Sequence, residues 1–417
     1  MRLCVITPHF TPDVAPTGVV VTRLVEELAA RDHEIEVVTS LPWYRQHRIE
    51  PGFEGRPWRY EDTPWGRITR VHPFPAPDKR ALVRRAAGFA GFSALAAATG
   101  IRGESVDAVL SVSPPLSLGA VGWAIARKKR AGFVFNVQDV YPDVAVELGV
   151  LDNPALVAAA SRLERFSYAR ADAITVLSED LRANVSAKLG SDAKVHVVPN
   201  FVDTEWITPG PKSNSYRAEL GLEGKAVVMY AGNVGLSQSL DMVIEAAVVL
   251  AYDPDVAFVI NGQGAGRAEL ERTARGLGNV TFVDMQPAER LAEVLRAADI
   301  HLVPLRRGLA HSSVPSKTYS ILAAGRPLIA SVDPGSEVAR VVERSGAGLN
   351  VPPDDAEALT KALRSLLDAP EEADRMGAAG RSFVEGWASP AAVAQTYEEL
   401  FEKLRHAGAG GAGRRRA

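Results

Sequence analysis

Lys317 stands in Ser313-Val-Pro-Ser-Lys-Thr-Tyr-Ser320, a short loop beyond a β-branched run that ends at Pro304. The order predicts a strand, a loop, and a helix that opens at Pro315 or Ser316 and closes at Gly325 as a C′ residue. Amide groups at such an opening favour an anion. A lysine in the first turn opposes the helix dipole by about 0.3–1 kcal/mol, and an anion bound beside it offsets that cost. The plain alternative is a solvated lysine on an ordinary βα loop. Arg306 and Arg307 follow the same strand and are further cations.

Four other loops have residue types suited to chemistry. Met229 to Gln238 runs from an apolar strand into Gly232 and Gly235, with Asn233 and Gln238 as polar partners. Glycines there admit a close-lying ligand, or are turn glycines with polar caps. Val259 to Arg267 holds Gly262 and Gly264 in a GxGxG spacing, but Arg267 occupies the place of a third glycine, so it is a poor dinucleotide fingerprint. Pro8 to Gly18 follows the first strand; Thr17 is read as the cap of the next helix and Gly18 as bringing backbone N–H groups to a cleft, or the loop is a proline-stiffened connector. Asn136 to Asp143 places Asp139 and Asp143 where they orient a hydroxyl, or simply form turns. Asp253-Pro-Asp255 reads as a turn rather than a metal pair, and His301, inside a strand, as a core histidine. No residues are assigned to a metal, and no cofactor is expected.

These loops need a scaffold that brings strand ends together. Short β-branched runs alternate with amphipathic stretches throughout, the pattern of βα units on parallel sheets. Strands read at Leu3–Thr7, Ile35–Thr39, Arg67–Phe74, Asp107–Val112, Phe133–Val137, Ala173–Leu177 and Val195–Val198, with a loop rich in Pro, Trp and Arg before the third. After a Pro/Gly/Ser-rich stretch the pattern restarts, with strands at Ala226–Ala231, Val256–Asn261, Val280–Val283, Ile300–Pro304, Pro327–Ser331 and Gly348–Val351. The expected organisation is two doubly wound, Rossmann-like α/β domains, 1–203 and 217–386, with a linker at 204–216 and a cleft at the strand ends. A helix over 387–406, with Val393, Tyr397, Leu400 and Leu404 on one face, is expected to return to the first domain, and 407–417 to be disordered.

Composition narrows the classes further. The chain has 417 residues, 47% hydrophobic and 23% charged, as in globular proteins of two or three domains. A net charge of −3 gives no argument for nucleic acid, and the single cysteine, Cys4, excludes an internal disulfide. No secretory leader is legible, and the uncharged stretch Ala86–Ile101 is shorter than the ~20 residues of a membrane span. The expectation is a cytoplasmic protein. Lys79, Arg80, Arg84 and Arg85, interleaved with apolar residues, suggest contact with the anionic inner face of the cell membrane, or a helix packed on its own domain.

Two doubly wound domains with a last helix returning to the first resemble the GT-B glycosyltransferases, and the motifs are similar to those of the retaining family 4. Arg23, Leu28 and His33-Glu-Ile-Glu-Val-Val-Thr39 look like its first helix and second strand; Val198-Pro-Asn-Phe-Val-Asp203, Gly262-Gln-Gly264, Asp333-Pro-Gly-Ser-Glu337 and Gly346-Ala-Gly348 resemble its later motifs. The customary Arg and Lys after the first strand of the second domain are replaced by Asn233 and Gln238, and a customary Glu pair by Ser312 and Ser320. Together with Val-Pro-Ser-Lys317 and Leu-Ala-Ala-Gly-Arg-Pro327, this resembles the branch of capsule, O-antigen and exopolysaccharide synthesis to which fucosamine-type transferases belong. The resemblance implies transfer of a sugar from a nucleoside diphosphate, UDP by preference, to a lipid-linked or glycan hydroxyl with retention. Lys317 and Asp139 would be catalytic. Gly232, Asn233, Gly235, Gln238, Gly262, Gly264, Arg306, Pro315, Ser316 and Glu337 would lie around the donor, and Asp13, Thr17, Gly18 and Asp143 around the acceptor. The alternatives are a nicotinamide-dependent oxidoreductase and a non-catalytic sugar-nucleotide-binding subunit.

Overall fold

The computed structural model describes residues 1–13, 15–45, 48–75, 82–235 apart from 148–150, 237–308 and 317–413, with the side chains of 82–86, 147 and 407–413 left aside. Pro315, Ser316, Lys79 and Arg80 therefore lie outside the described residues, as do the side chains of Arg84 and Arg85. The chain forms two compact units, one of residues 1–200 and 393–417, the other of 201–392.

The first unit is built on an eight-stranded sheet. Its strands are β1 (Arg2–Ile6), β2 (Glu34–Ser40), β3 (Trp58–Thr63), β4 (Gly66–Val71), β5 (Ala108–Ser113), β6 (Gly132–Val137), β7 (Ala173–Val176) and β8 (Val195–Val197). They lie in the order β3-β4-β2-β1-β5-β6-β7-β8, all parallel except β3, which pairs antiparallel to β4. Strands covered on both faces need apolar residues throughout, and β5 is buried at all six positions. Strand order reverses between β1 and β5, so the loops after Ile6 and Ser113 open a crevice at that switch point.

The sequence pattern predicts a loop where β3 lies. Its six residues, Trp58-Arg-Tyr-Glu-Asp-Thr63, have no fully buried member. An edge strand exposed on both faces carries no apolar alternation, which is why the pattern missed it. The second difference is the tail: the last helix, Pro390–Gly413, continues through the Ala/Gly run expected to be disordered.

That helix belongs to the first unit from Val393 onward. Val393, Tyr397, Leu400 and Phe401 are buried. The Tyr397 hydroxyl lies 2.9 Å from Asn136 Nδ2 and 3.1 Å from Thr175 Oγ1, while Glu398 Oε1 lies 3.0 Å from His33 Nε2.

The second unit has a six-stranded, wholly parallel sheet: β9 (Ala226–Ala231), β10 (Val256–Asn261), β11 (Val280–Val283), β12 (Ile300–Pro304), β13 (Leu328–Ser331) and β14 (Gly348–Val351). The order β11-β10-β9-β12-β13-β14 is the doubly wound one, with its switch point between β9 and β12. His301 is a core residue, fully buried with Nε2 2.9 Å from the Leu295 carbonyl; burial pushes its pKa down to about 4. Asp253 accepts from the Asp255 amide in a turn. The stretch 204–216 is held to this unit by arginines: Arg326 donates to the Gly210 carbonyl at 2.6 Å and Arg381 to Thr204 at 2.9 Å. A proline-rich segment has no ladder for its carbonyls, and guanidinium forks satisfy them.

Candidate functional site

At the second unit's switch point the helix Lys317–Ala323 follows β12, and β9 delivers Tyr230 and Gly232. Gly325, at φ +66°, ends that helix: its N–H donates to Leu322 and that of Arg326 to Ile321, the pairing of a left-handed glycine cap. Lys317 Nζ lies 4.1 Å from the centre of the Tyr230 ring. The Tyr230 hydroxyl donates at 2.5 Å to the Asn233 carbonyl, which holds the ring in place. Lys317 is half-buried and has no ion pair or hydrogen bond among the described residues. Loss of water pushes its pKa down to about 7. A ring face attracts the cation, but does not supply the full charge that would neutralise it. An ammonium placed so is a ready partner for an anion.

The glycines have a different task from the one expected of two of them. Gly262, at φ +155°, lies so close to the Gly232 carbonyl that an added Cβ would stand 1.8 Å from its oxygen. Gly264, at φ +158°, meets the Val234 carbonyl in the same way, at 2.2 Å. The two loops are joined by backbone hydrogen bonds, Gly232 N–H donating to the Asn261 carbonyl at 2.9 Å and Val234 N–H to the Gln263 carbonyl at 2.8 Å. The close-lying backbone is therefore the neighbouring loop. Gln238 caps the turn, its Oε1 accepting from the Gly235 amide at 3.1 Å, and Asn233 is exposed. Arg306 reaches Asp241 at 3.1 Å on the surface. Glu337 is buried at the start of the helix Glu337–Ser345 and binds Arg340 at 2.9 Å. Tyr230 was missed by the sequence reading because an aromatic near a strand end looks like core.

In the first unit, the loops after β1 and β5 border a cavity of about 460 Å³, within the range of small-molecule sites. His9, Thr17, Trp43, Tyr44, Phe89 and Pro114 are among its walls. Asp13 is buried, its Oδ2 2.7 Å from His9 Nδ1 and its Oδ1 accepting from the Tyr44 amide at 3.1 Å. Thr17 does not cap the helix Pro16–Ala29: the N-cap is Ala15, without a side-chain bond, and Thr17 lies inside the first turn. Proline at the first helical position lacks the N–H that a cap would satisfy. Gly18 is buried where a Cβ would stand 2.9 Å from that of His9. At the end of β6, Asp139 is exposed, and burial of its inner side raises its pKa. Asp143 bonds to Lys188 at 2.9 Å and Asn184 at 3.0 Å; desolvation raises its pKa, and these bonds outweigh that and lower it.

Residues 17–200 match the model of the glycosyl transferase 4-like domain and residues 212–383 that of the glycosyl transferases group 1. The chain is 29% identical over 385 residues to the putative colanic acid biosynthesis glycosyl transferase WcaI of Escherichia coli K12, covering 89% of this chain and 93% of that one. It is 27% identical over 275 residues to the probable glycosyltransferase WbjE of Pseudomonas aeruginosa, covering 64% and 68%. In fold it is similar to sucrose-phosphate synthase of Thermosynechococcus elongatus (TM-score 0.67, 22% identity, 98% and 100% covered). Anabaena HepE in complex with UDP is also similar (TM-score 0.67, 14% identity, 97% and 100% covered). Two Rossmann-like units, each with its crevice at a strand reversal and each matched by its own transferase domain, make this chain a GT-B glycosyltransferase of the family 4-like kind.

Proposed function

We propose that this enzyme moves a sugar from UDP to a hydroxyl of a lipid-linked or glycan acceptor, with retention of configuration, in the synthesis of a cell-surface polysaccharide. The Lys317 ammonium, half-buried over Tyr230 with no counter-anion among the described residues, is the observation that carries the reading. It supplies a cation where the diphosphate of a donor would lie, at the switch point of the donor-side sheet. When the anomeric C–O bond breaks, its electron pair leaves with the diphosphate, and a fixed ammonium stabilises that charge. The acceptor oxygen forms the new bond, and its proton passes to the leaving phosphate. WcaI, by its name a colanic acid enzyme, and the UDP bound by HepE are consistent with this assignment. The oxidoreductase alternative lacks its motif, since Arg267 stands where a third glycine would be needed.

A thermal-shift panel of nucleotides and nucleotide-sugars tests it, because a ligand that binds only the native state raises Tm. UDP and one or more UDP-sugars should raise it, and Lys317→Ala should abolish the increment. A rise with NADH, and none with UDP, would overturn the reading.

A further inference from the structure

We infer that the free edge of β3 is a self-pairing surface: two copies of this chain join antiparallel along it, with Tyr60 opposite the partner's Tyr60, and their eight-stranded sheets become one. β3 is the last strand of its sheet on that side, with β4 as its one neighbour. The His72 amide donates to the Pro57 carbonyl at 2.8 Å, and bonded and non-bonded pairs alternate along an antiparallel ladder. The bonds to β4 therefore fall at Arg59, Glu61 and Thr63, opposite Arg70, Ile68 and Gly66. Trp58, Tyr60 and Asp62 turn their amides and carbonyls away from the sheet, with no partner among the described residues. A row of open groups is a template for another strand. Trp58 and Tyr60 are 50% and 57% exposed. Alternation places both rings on one face, where the Arg67 guanidinium lies 5.9 Å from the centre of the Tyr60 ring.

The order of charges selects the occupant. Side chains that oppose one another across a ladder share a face, so a second copy must be centred on a residue and not between two. Centred on Tyr60, Arg59 stands opposite the partner's Glu61 and Glu61 opposite the partner's Arg59, while Trp58 meets the partner's Asp62. Each outward amide then faces an outward carbonyl. Centred on Glu61, two carboxylates would oppose each other, and Trp58 would face the partner's Pro64, which has no amide to give. Centred on Arg59, two guanidiniums would oppose each other. Charges guard an edge when they repel what comes to it; here one alignment pairs them. The run Arg59-Tyr-Glu61 is its own complement when reversed, which singles out a second copy of this chain.

Glu61 is fixed before a partner arrives, by Arg70 at 2.9 Å and Arg59 at 3.5 Å. The seam lies clear of the crevice, since β1 and β5 are the fourth and fifth strands from this edge. Six residues make a short seam, so the dimer is a reversible one of micromolar strength.

Sedimentation of the full chain across the micromolar range should show a monomer–dimer equilibrium. Tyr60→Pro removes an outward amide and none of the bonds to β4, and should weaken association about tenfold or more, with circular dichroism unchanged. Arg59→Glu, at an exposed position, sets like charges opposite each other and should weaken it similarly, whereas Arg59→Lys should keep it. Register is read with cysteines, since Cys4 is buried. Opposed residues of a bonded pair stand about 5.5 Å apart at Cα, within disulfide reach, so Tyr60→Cys should give a linked dimer under mild oxidation by copper phenanthroline. Asp62→Cys should not, because its counterpart lies four residues further along, about 13 Å away. Monomer at every concentration, unchanged association of Tyr60→Pro or Arg59→Glu, or linkage at position 62 in place of 60 would overturn the inference.

Discussion

The Lys317 ammonium stands 4.1 Å from the centre of the Tyr230 ring, and the Tyr230 hydroxyl is in turn anchored on the Asn233 carbonyl. The cation therefore rests on a fixed ring that is itself tied to the glycine loop. Its charge is attracted but not neutralised by the ring, and loss of water on burial pushes its pKa down to about 7.

A pH dependence with a definite sign follows. A bound diphosphate favours the charged amine and raises its pKa, so binding takes up a proton above pH 7. Above that pH the phosphate, with a last pKa near 6, keeps a constant charge. UDP affinity should fall by up to about tenfold per pH unit as pH rises past 7, and isothermal titration in buffers of different ionisation heat should show the proton uptake. In the unbound protein the folded pKa lies below the unfolded value of about 10.4, so this group's contribution to stability rises with pH between the two. The Tm increment from UDP should shrink over the same range. A flat profile from pH 7 to 9 would contradict the anion role.

Lys317→Ala should reduce transfer about 100-fold or more, the scale of losing one fixed donor to a developing anion, with circular dichroism unchanged. Tyr230→Phe keeps the ring face and should retain most of the affinity for UDP, whereas Tyr230→Leu should weaken it. Steady-state kinetics of the three variants would separate the ring from its hydroxyl.

Gly262→Ala combines a left-handed φ with a 1.8 Å approach to a backbone oxygen. It should destabilise the second unit by about 1–3 kcal/mol or more. Gly278→Ala is the control, as nothing lies within 4 Å of its added Cβ, and should fall within about 0.5 kcal/mol of the unmodified chain. Urea melts of the two proteins give the comparison.

Cys4, in the middle of β1, is buried, and desolvation pushes its pKa up to about 12. Only the thiolate reacts, so a maleimide should leave the native protein untouched and label it at the rate of unfolding. Rapid labelling without denaturant would show that β1 is open. Since the chain has one cysteine, mass spectrometry reads the result directly.

Phe401 and Tyr397 give a last test. Phe401→Ala removes a fully buried ring and should cost about 3–5 kcal/mol. Tyr397→Phe leaves Asn136 and Thr175 without one bond each and should cost about 1–3 kcal/mol. Both losses should appear as earlier exposure of Cys4 to the maleimide.

The parallel strands were legible because burial on both faces demands unbroken β-branched runs, as in Val227 to Tyr230. β3 was not, because Arg59 and Glu61 serve an exposed edge and one buried arginine, and neither purpose leaves a periodic trace. Lys317 stood out by its place in the first turn of a helix. Tyr230 beneath it acts through a contact across the fold that spacing does not encode. Gly262 and Gly264 were legible as a glycine pair after a strand, but the neighbouring loop they pack against leaves no trace in their spacing.

The first unit is closed by residues from 393 onward. During synthesis the groove for Tyr397 and Phe401 stays unfilled until those residues have left the ribosome, long after residue 200, where the rest of that unit ends. The second unit has no such delay, because all of its residues emerge earlier in one uninterrupted run. The usual order of amino-terminal domain first is thereby reversed at the final step, and a nascent chain stalled before residue 393 would have every residue of the second unit but not of the first.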